Sequence, residues 1–168
     1  MIDRKAAEAI AARNPSSYKL SRQGSRELAL GWFFAYKPRD EFGARAGVVV
    51  NKATGKCREM PFKSLDRHLT LYDKGYCSKA FDLVVLAVHD QDVAINGLPH
   101  IGMTVVEPTY EHGVVWRVPR PMARAELHTR LARLPAVFER LSCSSHAEAV
   151  EALRSTGAVD VRIVDAAT

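Results

Sequence analysis

The run of residues 28–36, Leu-Ala-Leu-Gly-Trp-Phe-Phe-Ala-Tyr, constrains the fold of this chain more than any other feature of its sequence. Aromatic residues favour strands, and successive side chains of a strand point to opposite faces of the sheet. Trp32 and Phe34 therefore share one face, and Phe33 lies on the other. Because both faces are apolar, the segment predicts a central strand covered by helices. We interpret its aromatic residues as core, with ligand stacking as the alternative.

Hydrophobic spacing and turn residues predict the other elements of the first half. A helix is predicted over residues 2–13, with Asp3 as its N-cap. Residues 47–51 and 56–60 predict a β-hairpin around an Asn-Lys-Ala-Thr-Gly turn. A second helix follows over residues 64–74, with Ser64 as its candidate N-cap. The first half is therefore expected to be ordered helix–hairpin–helix.

The second half is predicted to begin with a strand over residues 82–89 and a second hairpin, whose strands cover residues 103–106 and 113–118 around a turn at residues 108–113. The apolar residues that follow have helical spacing and predict a long helix kinked at Pro135; they are Leu127, Leu131, Leu134, Phe138 and Leu141. Ser144 or Ser145 is the candidate cap of a further helix that extends to about Ser155, with Gly157 as its C-terminal stop, and residues 159–163 are predicted to form a last strand. The order is strand–strand–helix–helix–strand, and the whole chain is predicted to be α+β with a mainly antiparallel sheet flanked by helices.

Basic residues divide the chain near position 80. Residues 1–88 contain 16 Lys and Arg against 9 Asp and Glu, a net charge of +7, and residues 89–168 contain 8 against 10, a net charge of −2. All eight lysines lie at or before Lys79. We therefore predict two modules, residues 1–80 and an α+β extension of unknown type over residues 81–168, packed together as one globular unit.

The composition indicates a cytoplasmic protein. The three cysteines have no paired short spacing, which fits a reducing compartment and predicts no zinc site. The N-terminus has no signal-peptide apolar core, and no apolar run is long enough to span a membrane. The basic first half leaves a nucleic-acid-binding regulatory module as an alternative, although its charges are scattered and form no basic helix.

Residues 89–92, His-Asp-Gln-Asp, follow the end of a predicted strand and are the best candidates for catalysis. A carboxylate beside an imidazole can orient it as a general base, so a small hydrolase or transferase using His89 and Asp90 is an alternative. Cys77 with His89, or Cys143 with His146, could pair a thiol with a base. No nucleophile motif or phosphate-binding loop accompanies them. We therefore predict no catalytic residue, no metal and no cofactor.

Three segments between Leu30 and about Ala80 carry a resemblance to a known family. They are, in order, the Gly-Trp-Phe-Phe-Ala-Tyr strand of residues 31–36, the apolar strand and Thr-Gly turn of residues 47–56, and the helix of residues 65–72. Together they resemble the YrhB-like domain, also called immunity protein 35. The Ala-Arg-Ala-Gly lead-in at residues 44–47 departs from the small polar lead-in of that family.

The resemblance implies a protein that acts by binding another protein. Such domains look like immunity proteins of bacterial polymorphic toxin systems, or small stress-related chaperones. A cognate toxin would be the partner, and it is not expected to be a strongly basic nuclease unless the net-negative second half makes the contact. Recognition is expected on loops carried by a rigid sheet, where polar and aromatic groups mix; the candidates are Lys37, Arg39, Asp40, Phe42, Tyr110, Glu111 and His112.

Overall fold

A computed structural model of this 168-residue chain describes residues 1–14, 18–37 and 45–166. Within these ranges the chain forms five helices and nine strands, and every strand pairing is antiparallel. The predicted α+β class with a mainly antiparallel sheet is therefore confirmed. The chain divides into two compact units, Met1–Cys77 and Ser78–Thr168.

The first unit is a four-stranded sheet of order β1-β2-β3-β4, preceded by one helix and followed by another. Its elements are α1 (Arg4–Arg13), β1 (Leu20–Glu27), β2 (Gly31–Tyr36), β3 (Arg45–Asn51), β4 (Cys57–Pro61) and α2 (Leu65–Asp73). The predicted cap of α1 is confirmed, because Asp3 Oδ1 accepts the N–H of Ala6 at 2.8 Å. Ser64 stands at the N-cap position of α2, but its side chain makes no capping hydrogen bond.

Both faces of this sheet are buried, as residues 28–36 predict. Phe34 packs on one face with Ala7 and Ala11 of α1. Phe33 packs on the other face with Leu69 and Tyr72 of α2. Alternation along β2 therefore supplies aromatic side chains to two separate apolar layers, and their role in the core is confirmed.

The helix–hairpin–helix order predicted for the first half is wrong. The structure has four strands between its helices, because β1 pairs with β2 and adds an edge strand. The sequence of β1, Leu-Ser-Arg-Gln-Gly-Ser-Arg-Glu, is polar and lacks apolar alternation. An edge strand with little to bury carries no such pattern, which explains why it was not predicted.

The second unit contains a three-stranded sheet of order β8-β5-β9 and a separate two-stranded sheet, β6-β7. Its elements are β5 (Ala80–Val88), α3 (Gln91–His100), β6 (Thr104–Glu111), β7 (Val114–Pro121), α4 (Arg124–Leu131), β8 (Ala136–Ser142), α5 (Cys143–Ser155) and β9 (Val159–Asp165). The core is formed by buried Phe81 and Leu83 of β5 together with Leu98 of α3 and Val150 of α5.

The order strand–strand–helix–helix–strand predicted for this half is also wrong in two places. Residues 91–100 form α3, a helix that the breakers Gly97 and Pro99 concealed. Residues 136–142, predicted as the end of a kinked helix, form strand β8. The Gly157 stop and the last strand agree with prediction, since Gly157 has a φ of 69° after α5 and β9 follows it.

Candidate functional site

The β6–β7 hairpin is the most unusual surface of the second unit. Its strands pair without a bulge from Thr104 opposite Pro121 to Glu111 opposite Val114. His112 and Gly113 form the turn, with φ values of 50° and 79°. Positive φ at both central residues is typical of a type I′ turn, whose twist matches that of the flanking strands. The sequence therefore encodes a long, regular, two-stranded ribbon.

This ribbon exposes apolar side chains that globular proteins usually bury. Of the fourteen large apolar side chains exposed in the described ranges, six lie in the hairpin; they are Val106, Tyr110, Val114, Val115, Trp116 and Val118. Tyr110 is 71% exposed and Trp116 is 56% exposed. Contiguous exposed apolar surface marks interaction sites, and aromatic side chains dominate the energetics of protein interfaces.

The strand register places these side chains on both faces of the ribbon. Tyr110 lies opposite Val115, and Val106 shares their face because side chains alternate along a strand. Trp116 projects from the other face with Val114 and Val118, its neighbours two positions away in β7. A two-stranded ribbon is only marginally stable alone in water, so covering either face would stabilise it.

Prolines restrict how a partner could pair with the ribbon. In the described structure β6 and β7 each have one neighbouring strand, so each has one open edge. Pro108, Pro119 and Pro121 lie in these strands and have no N–H to donate. Prolines on an edge disfavour addition of another strand. The faces are therefore better suited to recognition than the edges.

A charged cluster anchors the base of the hairpin to α4. Arg120 of β7 donates two hydrogen bonds to the carboxylate of Glu126, at 2.6 and 2.7 Å, and forms an ion pair with Glu107 of β6 at 2.6 Å. Glu126 also accepts the N–H of Ala123 at 2.8 Å. The Arg120 hydrogen bonds and the Ala123 N–H lower the pKa of Glu126 to about 2. Hydrogen bonding from Arg120 lowers the pKa of Glu107 as well.

The predicted recognition residues fall in different parts of the chain. Tyr110 and Glu111 end strand β6 and His112 begins the turn, and all three are exposed. Lys37 directly follows β2 in the first unit and is exposed, and its N–H donates to the carbonyl of Lys19 at 2.8 Å. Three further candidates lie outside the described residues; they are Arg39, Asp40 and Phe42.

Sequence reasoning missed the main apolar part of this surface. Residues 114–118, Val-Val-Trp-Arg-Val, were interpreted only as a strand. Strands that are apolar at successive positions usually lie inside a sheet covered on both faces. The signal that could have identified Trp116 is the shortage of neighbouring strands and helices to cover such a segment.

The candidate catalytic residues assemble only in part. His89 Nε2 lies 3.0 Å from Asp160 Oδ2, and both side chains are more than half exposed. The side chain of Asp90 accepts the N–H of Val93 at 3.0 Å and caps α3. In the part of the chain that the structure describes, no hydroxyl or thiol forms a hydrogen bond with the His89 ring. The geometry of Asp90 is therefore that of a helix cap.

The cysteines form no thiol–imidazole pair within the described residues. Cys143 is buried in the first turn of α5, and Nδ1 of His146 contacts the backbone of Ser142 instead. Cys77 Sγ lies 3.9 Å from the carbonyl oxygen of Tyr72 and 3.8 Å from Nδ2 of Asn51. Cys57, Cys77 and Cys143 all lie in the described ranges, and none of them forms a disulfide there. Across residues 1–14, 18–37 and 45–166, no group of three or more His, Cys, Asp or Glu could hold a metal ion.

Comparison with protein-family models, curated proteins and solved structures found no match to this chain. The resemblance of residues 30–80 to the immunity family stays a prediction. Of the helices described, none has both the length and the apolar character needed to cross a membrane.

Proposed function

We propose that this chain acts by binding another protein through the β6–β7 hairpin. The exposure of Trp116 and Tyr110 on opposite faces of one ribbon carries the proposal. Covering either ring would remove on the order of 100 Å² of apolar surface from water, which favours binding by about 2.5 kcal/mol at 25 cal/mol per Å². A partner that encloses the ribbon covers both rings, and two such anchors are enough to dominate an interface of ordinary size.

The proposed partner is a toxin neutralised by complex formation in the cytoplasm. This part of the proposal is supported by the resemblance of the first unit to immunity proteins. The hairpin belongs to the unit Ser78–Thr168, which contains 9 Lys and Arg against 11 Asp and Glu, a net charge of −2. A net-negative unit can approach a basic partner without repulsion. A basic toxin is therefore compatible with binding through the hairpin.

The proposal is tested by co-expressing the chain with the product of the neighbouring reading frame. We expect a stoichiometric complex and relief of growth inhibition. Trp116→Ser and Tyr110→Ser should each weaken the complex at least about tenfold, as truncation of an aromatic anchor does. Phe62→Ser is the matched control, because Phe62 is 72% exposed but lies in the first unit. It should leave the affinity unchanged.

A second control separates binding from catalysis. His89→Ala should leave both the complex and the rescue of growth intact, because His89 lies outside the hairpin. Rescue that depends on His89 but not on Trp116 or Tyr110 would support the enzyme alternative and contradict the proposal. A neighbouring product that neither binds nor inhibits growth would also contradict the toxin assignment.

A further inference from the structure

A cavity of about 330 Å³ lies in the second unit, between the base of the β6–β7 hairpin, strand β8 and the start of α5. Buried Met103, Phe138 and Leu141 supply apolar side chains to its lining. Arg130, Arg140 and His146 line it as well, and both arginines are exposed. Ligand pockets are mostly apolar and have a few convergent polar groups. This cavity is more polar than most, because polar and apolar groups contribute about equally to its lining.

A β-bulge places Arg140 at the cavity. Phe81 of β5 pairs with Leu141, and Leu83 pairs with Phe138, so Glu139 and Arg140 together face the single residue Asp82. Arg140 has a φ of 57°, in the left-handed region that non-glycine residues seldom occupy. Asp82 Oδ1 holds this conformation by accepting the Arg140 N–H at 2.8 Å. Bulges re-aim side chains, and strained backbone clusters at functional sites.

His146 presents a hydrogen-bond donor to the same cavity. Its Nδ1 lies 2.8 Å from the amide nitrogen of Ser142 and 3.0 Å from the Ser142 carbonyl oxygen. Ser142 is the N-cap of α5, and an N-cap carbonyl already accepts the first intrahelical hydrogen bond. Its N–H needs an acceptor, so Nδ1 accepts and the ring proton is on Nε2. Nε2 points towards Gly102, another lining residue, 3.6 Å from where a Cβ would lie.

The arginines retain most of their hydrogen-bonding capacity. Arg130 donates one bond to the carbonyl of Val137 at 3.2 Å and lies over the ring of Phe138, 5.8 Å from its centroid. A guanidinium has five N–H donors. Among the described residues, no carboxylate forms an ion pair with Arg130 or Arg140. Their N–H groups can therefore receive an anion.

We infer that this cavity binds a small organic carboxylate with an aromatic or branched apolar body. The buried side chains would contact the body, and Arg130, Arg140 and the Nε2–H of His146 would contact the carboxylate. Glu139 also lines the cavity, so two guanidinium groups and one carboxylate give the lining an excess of one positive charge. One net positive charge suits a monoanion better than a phosphate dianion. This site is independent of the proposed binding of a protein partner.

The test is a titration of the full chain with benzoate, monitored by NMR of ¹³C-labelled methionine methyl groups. The chain has four methionines. Met103 and Met122 line the cavity, whereas Met60 is buried in the first unit and serves as the internal reference. We expect the Met103 and Met122 signals to shift saturably below about 10 mM benzoate while Met60 stays fixed. Benzamide, which has the same ring without the charge, should bind at least about tenfold more weakly.

Arginine variants localise the carboxylate. Arg140→Gln and Arg130→Gln should each weaken benzoate binding at least about tenfold, because each removes a charged hydrogen bond. Arg133→Gln is the matched control, since Arg133 is exposed and does not line the cavity. If Arg140→Gln fails to fold, Arg130→Gln decides the test alone. Trp116→Ser should leave the titration unchanged, which separates this site from the proposed function.

Three results would overturn the inference. The first is the absence of any saturable shift of Met103 or Met122. The second is equal binding of benzamide, or equal weakening by Arg133→Gln, because the guanidinium groups would then have no specific role. The third is tighter binding of inorganic phosphate than of benzoate, which would show a different ligand class.

Discussion

Gly47 illustrates how closely the first sheet is packed at the scale of single residues. A Cβ at this position would lie 2.3 Å from the carbonyl oxygen of Phe34 and 2.6 Å from a ring carbon of Phe33. Backbone atoms cannot move aside as a flexible side chain can. Position 47 therefore requires glycine, because the backbone of β2 lies too close to leave room for a Cβ.

Gly47→Ala should destabilise the first unit by about 1–3 kcal/mol or more, the range for overpacking a core. Gly97→Ala is a suitable comparison. Its Cβ would meet the Cδ1 of Leu153 at 2.7 Å, which is the end of a movable side chain, and alanine gains about 1 kcal/mol over glycine inside a helix. Urea denaturation should show a large decrease in the free energy of unfolding for Gly47→Ala and little change for Gly97→Ala. Equal losses would contradict the packing argument.

At the scale of elements, Asp90 shows how a candidate catalytic residue is used in structure. Its carboxylate accepts the Val93 N–H, which would otherwise be unsatisfied at the start of α3. Asp90→Ala should reduce the free energy of unfolding by about 1 kcal/mol. Asp92→Ala, in the same first turn, should reduce the free energy of unfolding by less, because it removes no capping hydrogen bond. Urea denaturation of both variants measures this, and a larger loss for Asp92→Ala would contradict it.

The connection between the hairpin and α4 should depend on pH. The pKa of Glu126 is lowered from 4.5 to about 2 in the folded chain. Its contribution to stability is therefore fully present above about pH 4.5 and is lost as the pH falls through about 2. Glu126→Gln should melt at a lower temperature than the natural chain at pH 7, and this difference should shrink on acidification.

Circular dichroism melts between pH 7 and pH 2 measure the effect of Glu126→Gln. Glu111→Gln is the control, because it also removes one negative charge but Glu111, in β6, takes part in no ion pair among the described residues. A difference between the natural chain and Glu126→Gln that stays constant with pH, or an equal difference for Glu111→Gln, would contradict the role of Glu126.

The second unit also shows why helices and strands were confused in the sequence. The buried positions of β8 are Ala136, Phe138 and Leu141. The bulge at Glu139 and Arg140 adds one residue to this strand, so Phe138 and Leu141 are three positions apart, as on one face of a helix. The helical spacing of Leu127 and Leu131 in α4 therefore continued by coincidence into a strand.

At the scale of the whole molecule, the sequence predicted the fold best where both faces of a strand are buried. The aromatic segment of residues 28–36 predicted a sheet covered on both faces, and the structure has α1 and α2 there. The hairpin was predicted, but the exposure of Trp116 was not. Exposure depends on which elements cover a strand, and local spacing cannot report this. The cavity likewise depends on the bulge in β8, which the sequence did not predict because it spaces apolar residues as a helix does.

The pairing of Thr104 with Pro121 means that the two strands of the ribbon join the rest of the second unit at one place. Substitutions, lengthening or shortening of the ribbon beyond its anchoring residues, Glu107 and Arg120, should leave the path of α3 and α4 unchanged. Related chains could therefore acquire different targets by altering this appendage alone, while the sheet of β5, β8 and β9 is inherited intact. Residues 108–118 should then diverge rapidly among related chains, while the core of the second unit diverges slowly.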